Sequence, residues 1–96
     1  MFTHIVLFKL KDNSKDNVEF VAQRLRSMEG KIDELKDIEV GIDELHTERS
    51  FDVVLITRFN SLNDMNTYQC HPYHVNEVLS KIKPLMETSK VVDFNL

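Results

Sequence analysis

Apolar and polar residues alternate along residues 2–10. Phe2, His4, Val6, Phe8 and Leu10 share one side; Thr3, Ile5, Leu7 and Lys9 share the other. This period predicts a strand. Its centre is apolar on both sides, unlike a strand from a sheet that is wet on one face. Asp12-Asn13-Ser14 then offers cap-type side chains. Val18, Val21, Ala22, Leu25 and Met28 follow at helical spacing, with Glu19, Gln23, Arg24, Arg26 and Ser27 on the opposite side. Gly30 interrupts, while Ile32 and Leu35 continue the stripe and predict a second short helix or a bent continuation.

A second strand is expected over residues 38–45, with Ile38, Val40 and Ile42 on one face and Gly41 marking a bulge or a close backbone approach. Residues 46–50 form a polar connection of hairpin length. The most apolar strand is expected over 51–59. Phe51, Val53, Leu55, Thr57 and Phe59 line one side of it, and Val54 and Ile56 the other. Ser61-Leu62-Asn63-Asp64 resembles a capping box and predicts a short helix to about residue 69, with Leu62, Met65 and Tyr68 inward. Pro72 suits the first turn of a further helix, whose buried stripe is expected at Val75, Val78, Leu79, Ile82, Leu85 and Met86. Pro84 should kink or tighten its last turn. A final strand is expected over 91–96.

The resulting order, β-α-β-β-α-β, predicts a ferredoxin-like α+β fold: four antiparallel strands with the helices on one face. The other face then presents Ile5, Leu7, Val54, Ile56 and residues of the last strand. A patch of that kind is costly to leave in water. Covering it with a second copy, sheet against sheet, predicts a homodimer with a barrel-like core.

Composition narrows the class. Ninety-six residues suit one domain, 1–96, and 42% hydrophobic with 29% charged residues is ordinary for a soluble chain. The formal net charge is −4, and the scattered Lys and Arg form no basic stripe, so nucleic acid is not an expected partner. No apolar run approaches the roughly 20 residues of a membrane span. A signal-peptide pattern is absent, and the single cysteine suits a reducing compartment; a cytoplasmic location is the expectation.

The candidate chemistry is concentrated in Tyr68-Gln69-Cys70-His71-Pro72-Tyr73-His74, which holds two of the four histidines and both tyrosines. His74 can accept a proton near neutral pH, and the Tyr68 phenol can hydrogen-bond to a developing enolate oxygen. Against this stands a purely structural reading, in which both fasten the corner between two helices. His4 borders the space between sheet and helices, with Phe8, Val53 and Leu55 on the same side; with His71 they make up the expected substrate-binding set. The alternative for His4 is a buried, internally satisfied histidine. His71 is expected to cap the following helix. His71 and His74 lack the further ligands a metal needs, so neither metal nor cofactor is expected. Cys70 reads as a buried, inert thiol.

The segments His4-Ile5-Val6-Leu7-Phe8-Lys9-Leu10-Lys11, Ile38-Glu39-Val40-Gly41 and Asp52-Val53-Val54-Leu55 resemble the stress-responsive dimeric α/β-barrel (Dabb) family. Phe59-Asn60-Ser61-Leu62, the stretch from Tyr68 to His74, and Val92-Asp93-Phe94 extend the resemblance over essentially the whole chain. The His-Pro-x-His segment is its most specific element. The resemblance implies a ferredoxin-like dimer. Many members have no assigned reaction. One plant member, a polyketide cyclase that makes olivetolic acid, closes a linear polyketide by an aldol-type condensation without metal or cofactor. Its catalytic Tyr and His match Tyr68 and His74, and its amino-terminal strand histidine matches His4. Val53 stands where that enzyme has a further pocket histidine.

Two classes of function remain open. One is a stress-associated small-molecule binding protein without catalysis. The other is a cofactor-independent cyclase-like or aldol-type lyase or isomerase acting on an apolar carbonyl compound, with His74 as base and Tyr68 as hydrogen-bond donor. A cofactor-free monooxygenase is a further alternative on this fold.

Overall fold

The computed structural model describes residues 1–96. Strand β1 (Phe2–Leu10) lies in the middle of a four-stranded antiparallel sheet with β2 (Asp37–Ile42), β3 (Val53–Phe59) and β4 (Met86–Asn95), in the order β2-β3-β1-β4. Helix α1 (Lys15–Arg26) follows β1, and α2 (Leu62–Cys70) follows β3. A composite helix, residues 73–85, completes the helical layer. It begins as a π-helix (Tyr73–Leu79), passes through one α-turn (Ser80–Ile82) and tightens to 3-10 geometry at Lys83–Leu85. The fold is ferredoxin-like, as the β-α-β-β-α-β pattern predicts.

Register decides which side chains share a face. His4 pairs with Thr57, Val6 with Leu55 and Phe8 with Val53. These residues face the helices, where Val21, Leu25, Met28, Phe59, Tyr68, Val78 and Ile82 are almost fully buried. The side chain of Ser14 accepts a hydrogen bond from the Asn17 amide at 3.4 Å and caps α1. Buried Asp52 accepts bonds from the Leu10 amide at 2.8 Å and from Asn13 Nδ2 at 3.2 Å, tying the start of β3 to the end of β1.

The opposite face carries Ile5 against Ile56 and Val92, and Leu7 against Val54. Phe94, opposite Thr3, extends the patch. No element of this chain covers it, and Leu7 is 38% and Val92 60% exposed. Arg58 closes one edge through Asp37 and Glu39, each at 2.6 Å.

Several local expectations are corrected. The residues after α1 form turns, not a second helix; the amides of Met28 and Glu29 bond three residues back, Gly30 follows at φ 78°, and Ile32 still reaches the core. Gly41 sits in regular register with no bulge; a Cβ there would come within 3.0 Å of Val54 Cγ1, so close approach is its reason. β2 ends at Ile42 and β3 begins at Val53. β4 starts five residues earlier than expected, and Met86 is its first residue, half-buried rather than on a helix. Leu62, the first residue of α2, is exposed rather than inward. Pro84 lies in the tightened last turn, as its ring chemistry predicts.

Candidate functional site

The corner between α2 and the composite helix brings Tyr68 and His74 together. Ser61 caps α2 by accepting from the Asp64 amide at 3.1 Å. Met65 and Tyr68, one turn apart, then point into the core. His71 ends α2, and its Nδ1 accepts from the Tyr73 amide at 3.0 Å, turning the chain into the next helix. The π-helical opening changes which residues face inward. Hydrogen bonds to the fifth residue widen each turn, so positions four apart line up. His74, Val78 and Ile82 are therefore buried, whereas Val75, which an α-helix would have turned inward, is 39% exposed.

The rings of Tyr68 and His74 lie 4.4 Å apart, centre to centre, at 36°. His74 Nδ1 donates to the carbonyl of Gln69 at 3.1 Å, one of the carbonyls left free at the end of α2. That bond selects the tautomer with a lone pair on Nε2. Burial lowers the His74 pKa below its ordinary value, the Gln69 carbonyl raises it in part, and the neighbouring His4 and His71 lower it slightly. The imidazole is thus neutral at pH 7 and able to accept a proton. Burial pushes the Tyr68 phenol well above its usual pKa, so it stays a donor. Its hydroxyl is buried and has no hydrogen-bond partner in the protein.

His4 enters from the sheet. Its Nδ1 meets a carboxylate oxygen of Asp93, the residue opposite it on β4, and its Nε2 lies 3.5 Å from the Gln69 side-chain amide. The two contacts fit one tautomer, with Nδ1–H donating to Asp93 and Nε2 accepting from Gln69. The helical layer stops short of β4, whose Ser89 and Val91 remain exposed on the helix side. The resulting cleft of about 200 Å³ is walled by His4, Val6, Phe8, Leu25, Leu55, Tyr68, Gln69, His74, Leu79, Ser89 and Val91. It is half-open to solvent and mostly apolar, with a few convergent polar groups.

Of the residues expected from sequence, the structure brings Tyr68, His74, His4, Phe8 and Leu55 to this cleft. Val53 and His71 lie elsewhere. Val53 sits two residues farther along β3 and borders a separate depression with Leu7, Gly41 and Phe51. The His71 ring is turned back onto the Tyr73 amide, beside Asn63, Asn66 and Thr67 on the outer surface of α2. Cys70 is exposed, not buried, because it occupies the outer side of the last turn of α2. Gln69 and Asp93 were missed as site residues. The available signal for Asp93 was an acid standing between Val92 and Phe94 in an otherwise apolar strand end.

A ferredoxin-like sheet whose helices enclose a histidine–tyrosine cleft defines the structural class. The family model described as Stress responsive A/B Barrel Domain matches residues 2–96, and the chain belongs to that family. It is similar to two stress-response A/B barrel domain-containing proteins of Arabidopsis thaliana. One is 28% identical over 93 residues, covering 95% of this chain and 35% of its own length. The other is 31% identical over 100 residues, covering 95% and 45%. The chain therefore spans less than half the length of these curated relatives. Among solved structures, a dimeric ferredoxin-like protein of unknown function from Thermobifida fusca YX is 29% identical with a TM-score of 0.86, covering 99% of this chain and 90% of that one. A hydroxynitrile lyase from Passiflora edulis has a TM-score of 0.82 at 18% identity, covering 99% and 92%. At that identity the likeness speaks for the fold alone.

Proposed function

We propose that the cleft takes a small carbonyl compound and that His74 and Tyr68 act on it as a cofactor-independent proton-transfer pair. The Tyr68 hydroxyl carries this reading: it is buried and unpartnered beside an imidazole whose Nδ1 is already fixed. A buried hydroxyl left without a partner costs about 1–3 kcal/mol. A ligand oxygen in the cleft would relieve that penalty. In the proposed reaction His74 Nε2 removes a proton from the carbon beside the carbonyl. Tyr68 donates a hydrogen bond to the oxygen as it gains enolate charge, and His74 later returns the proton. Aldol-type closure or cleavage, or isomerisation, follows from one such enolate. The Passiflora edulis lyase supports the reading only by showing that this fold accommodates an enzyme.

A screen of apolar carbonyl compounds by thermal shift, on the wild type and on Tyr68→Phe, tests binding. Stabilisation of the wild type that is lost in Tyr68→Phe is expected; equal shifts in both would sink the proposal. Solvent-deuterium uptake at the carbon beside the carbonyl, read by NMR, then tests proton transfer, which should stop in His74→Ala. A second reading, stress-associated binding without turnover, is favoured by the bond from His74 to the Gln69 carbonyl, which also closes the end of α2. Binding without deuterium uptake would select it.

The uncovered sheet face is the proposed homodimer interface, with Leu7, Val54, Ile56 and Val92 meeting their counterparts across a two-fold axis. The Thermobifida fusca relative is described as dimeric, which supports this. Sedimentation of the wild type as a stable monomer at micromolar concentration would overturn it.

A further inference from the structure

The cleft does not end at His74. At Phe8, Leu79 and Ser89 it meets a second hollow of about 230 Å³, which runs along β4 beneath the end of the composite helix. Ile82 and Met86 supply its apolar wall, and Lys83 stands at its far end. Lys83 is the only charged residue lining this extension, and it belongs to no ion pair. The extension lies on the helix side of the sheet, so a second copy on the opposite face would leave it open.

We infer that the ligand is an elongated carbonyl compound with its carbonyl at Tyr68 and His74, an aliphatic chain over Phe8, Leu79, Ile82 and Met86, and an anionic group at Lys83. This rests on the cleft reading above and adds the substrate class. The length is set by the helix. Lys83 lies nine positions beyond His74; α-helical geometry at ~1.5 Å per residue would set them about 13 Å apart, and the more compact π-helical opening shortens this to about 11–12 Å. An extended zigzag chain of roughly ten carbons, advancing about 1.25 Å per bond, spans that distance. Apolar walls favour the chain without selecting its head, and an unpaired ammonium favours a carboxylate or phosphate over a neutral end.

Calorimetric titration of the full chain with methyl ketones of four, eight and twelve carbons tests this. Each is used as the plain ketone and as the acid with its carboxylate at the end distant from the carbonyl. Affinity should rise about fourfold per added methylene until the groove is filled. In the twelve-carbon acid, the one long enough to reach Lys83, the distant carboxylate should add a further gain of about fivefold, and in the four-carbon acid none. Lys83→Gln should remove the carboxylate gain, and Met86→Trp, which fills the far half, should collapse the ratio of long-chain to short-chain affinity. Lys83 is exposed, so Lys83→Gln folds and remains informative if Met86→Trp does not. Flat chain-length dependence with Tyr68-sensitive binding overturns the groove and leaves the cleft chemistry standing. A chain-length gain in compounds whose overall affinity Tyr68→Phe leaves unchanged overturns the placement of the carbonyl, and the cleft reading with it. Failure of every probe to bind overturns both.

Discussion

Helix α1 and the composite helix pack on the same sheet face and bury similar apolar stripes, yet they follow different geometries. α1 is a regular α-helix, capped by Ser14, with Val18, Val21, Ala22 and Leu25 inward. The composite helix opens as a π-helix and places His74 where an α-helix would have placed Val75. α1 lends the cleft only the apolar flank of Leu25 and otherwise packs the core. The other accepts a less common backbone so that an imidazole, rather than a second valine, faces the cleft. The difference teaches that the site depends on a change of helical pitch as much as on the identity of its residues.

The sharpest break of this comparison is a pair of substitutions one turn apart. Val78→Asp should destabilise by more than about 4 kcal/mol, because an unpaired carboxylate would enter the fully buried layer. Val75→Asp should stay within about 0.5–1 kcal/mol, as at other surface positions. Urea denaturation midpoints decide it; a severe loss in Val75→Asp would mean that the segment is α-helical. In α1, Leu25→Ala should cost about 2–5 kcal/mol by the same measurement, the ordinary penalty for a cavity in a packed core.

His74→Ala should cost less, about 1–3 kcal/mol, through the Gln69 carbonyl left without its donor. The same residue ties stability to pH. Its folded pKa lies below the unfolded value of about 6.5, so the unfolded chain binds more protons between the two. The His74 contribution is therefore fully present above about pH 6.5 and declines as pH falls toward the folded pKa. Melting temperatures followed from pH 7.5 to 5 should fall less steeply in His74→Ala than in the wild type; parallel curves would count against a depressed His74. The smallest effect is expected at Tyr68→Phe. Loss of an unpartnered hydroxyl should leave stability unchanged or raise it by up to about 1 kcal/mol. A clear loss there would reveal a partner that the hydroxyl has in solution.

Much of the architecture was legible in advance, because alternation and helical spacing report burial directly. Leu7, Val54 and Ile56 announced a sheet apolar on its outer side, and Met65 with Tyr68 announced the inner side of α2. The site was half legible. Tyr68, His74 and His4 stood out by chemistry, and Phe8 and Leu55 by sharing a strand face with His4. Val53 has the same parity but lies beyond the end of the cleft, a distance that periodicity does not measure. His71 has the right chemistry but commits its Nδ1 to a backbone amide that no spacing rule foretold. Asp93 and Gln69 reach His4 only through the β1–β4 register and the end of α2.

The amino-acid order by itself determined the ferredoxin-like element order, the two-sided apolar sheet and the cluster of proton-handling side chains, since each is a local pattern of polarity or residue type. Tertiary structure alone decided that His74 rather than Val75 faces inward, that Asp93 holds His4, and that the Tyr68 hydroxyl is left without a partner. Those outcomes depend on helical pitch, strand register and the gap between the helical layer and β4, which arise only when distant segments are packed together.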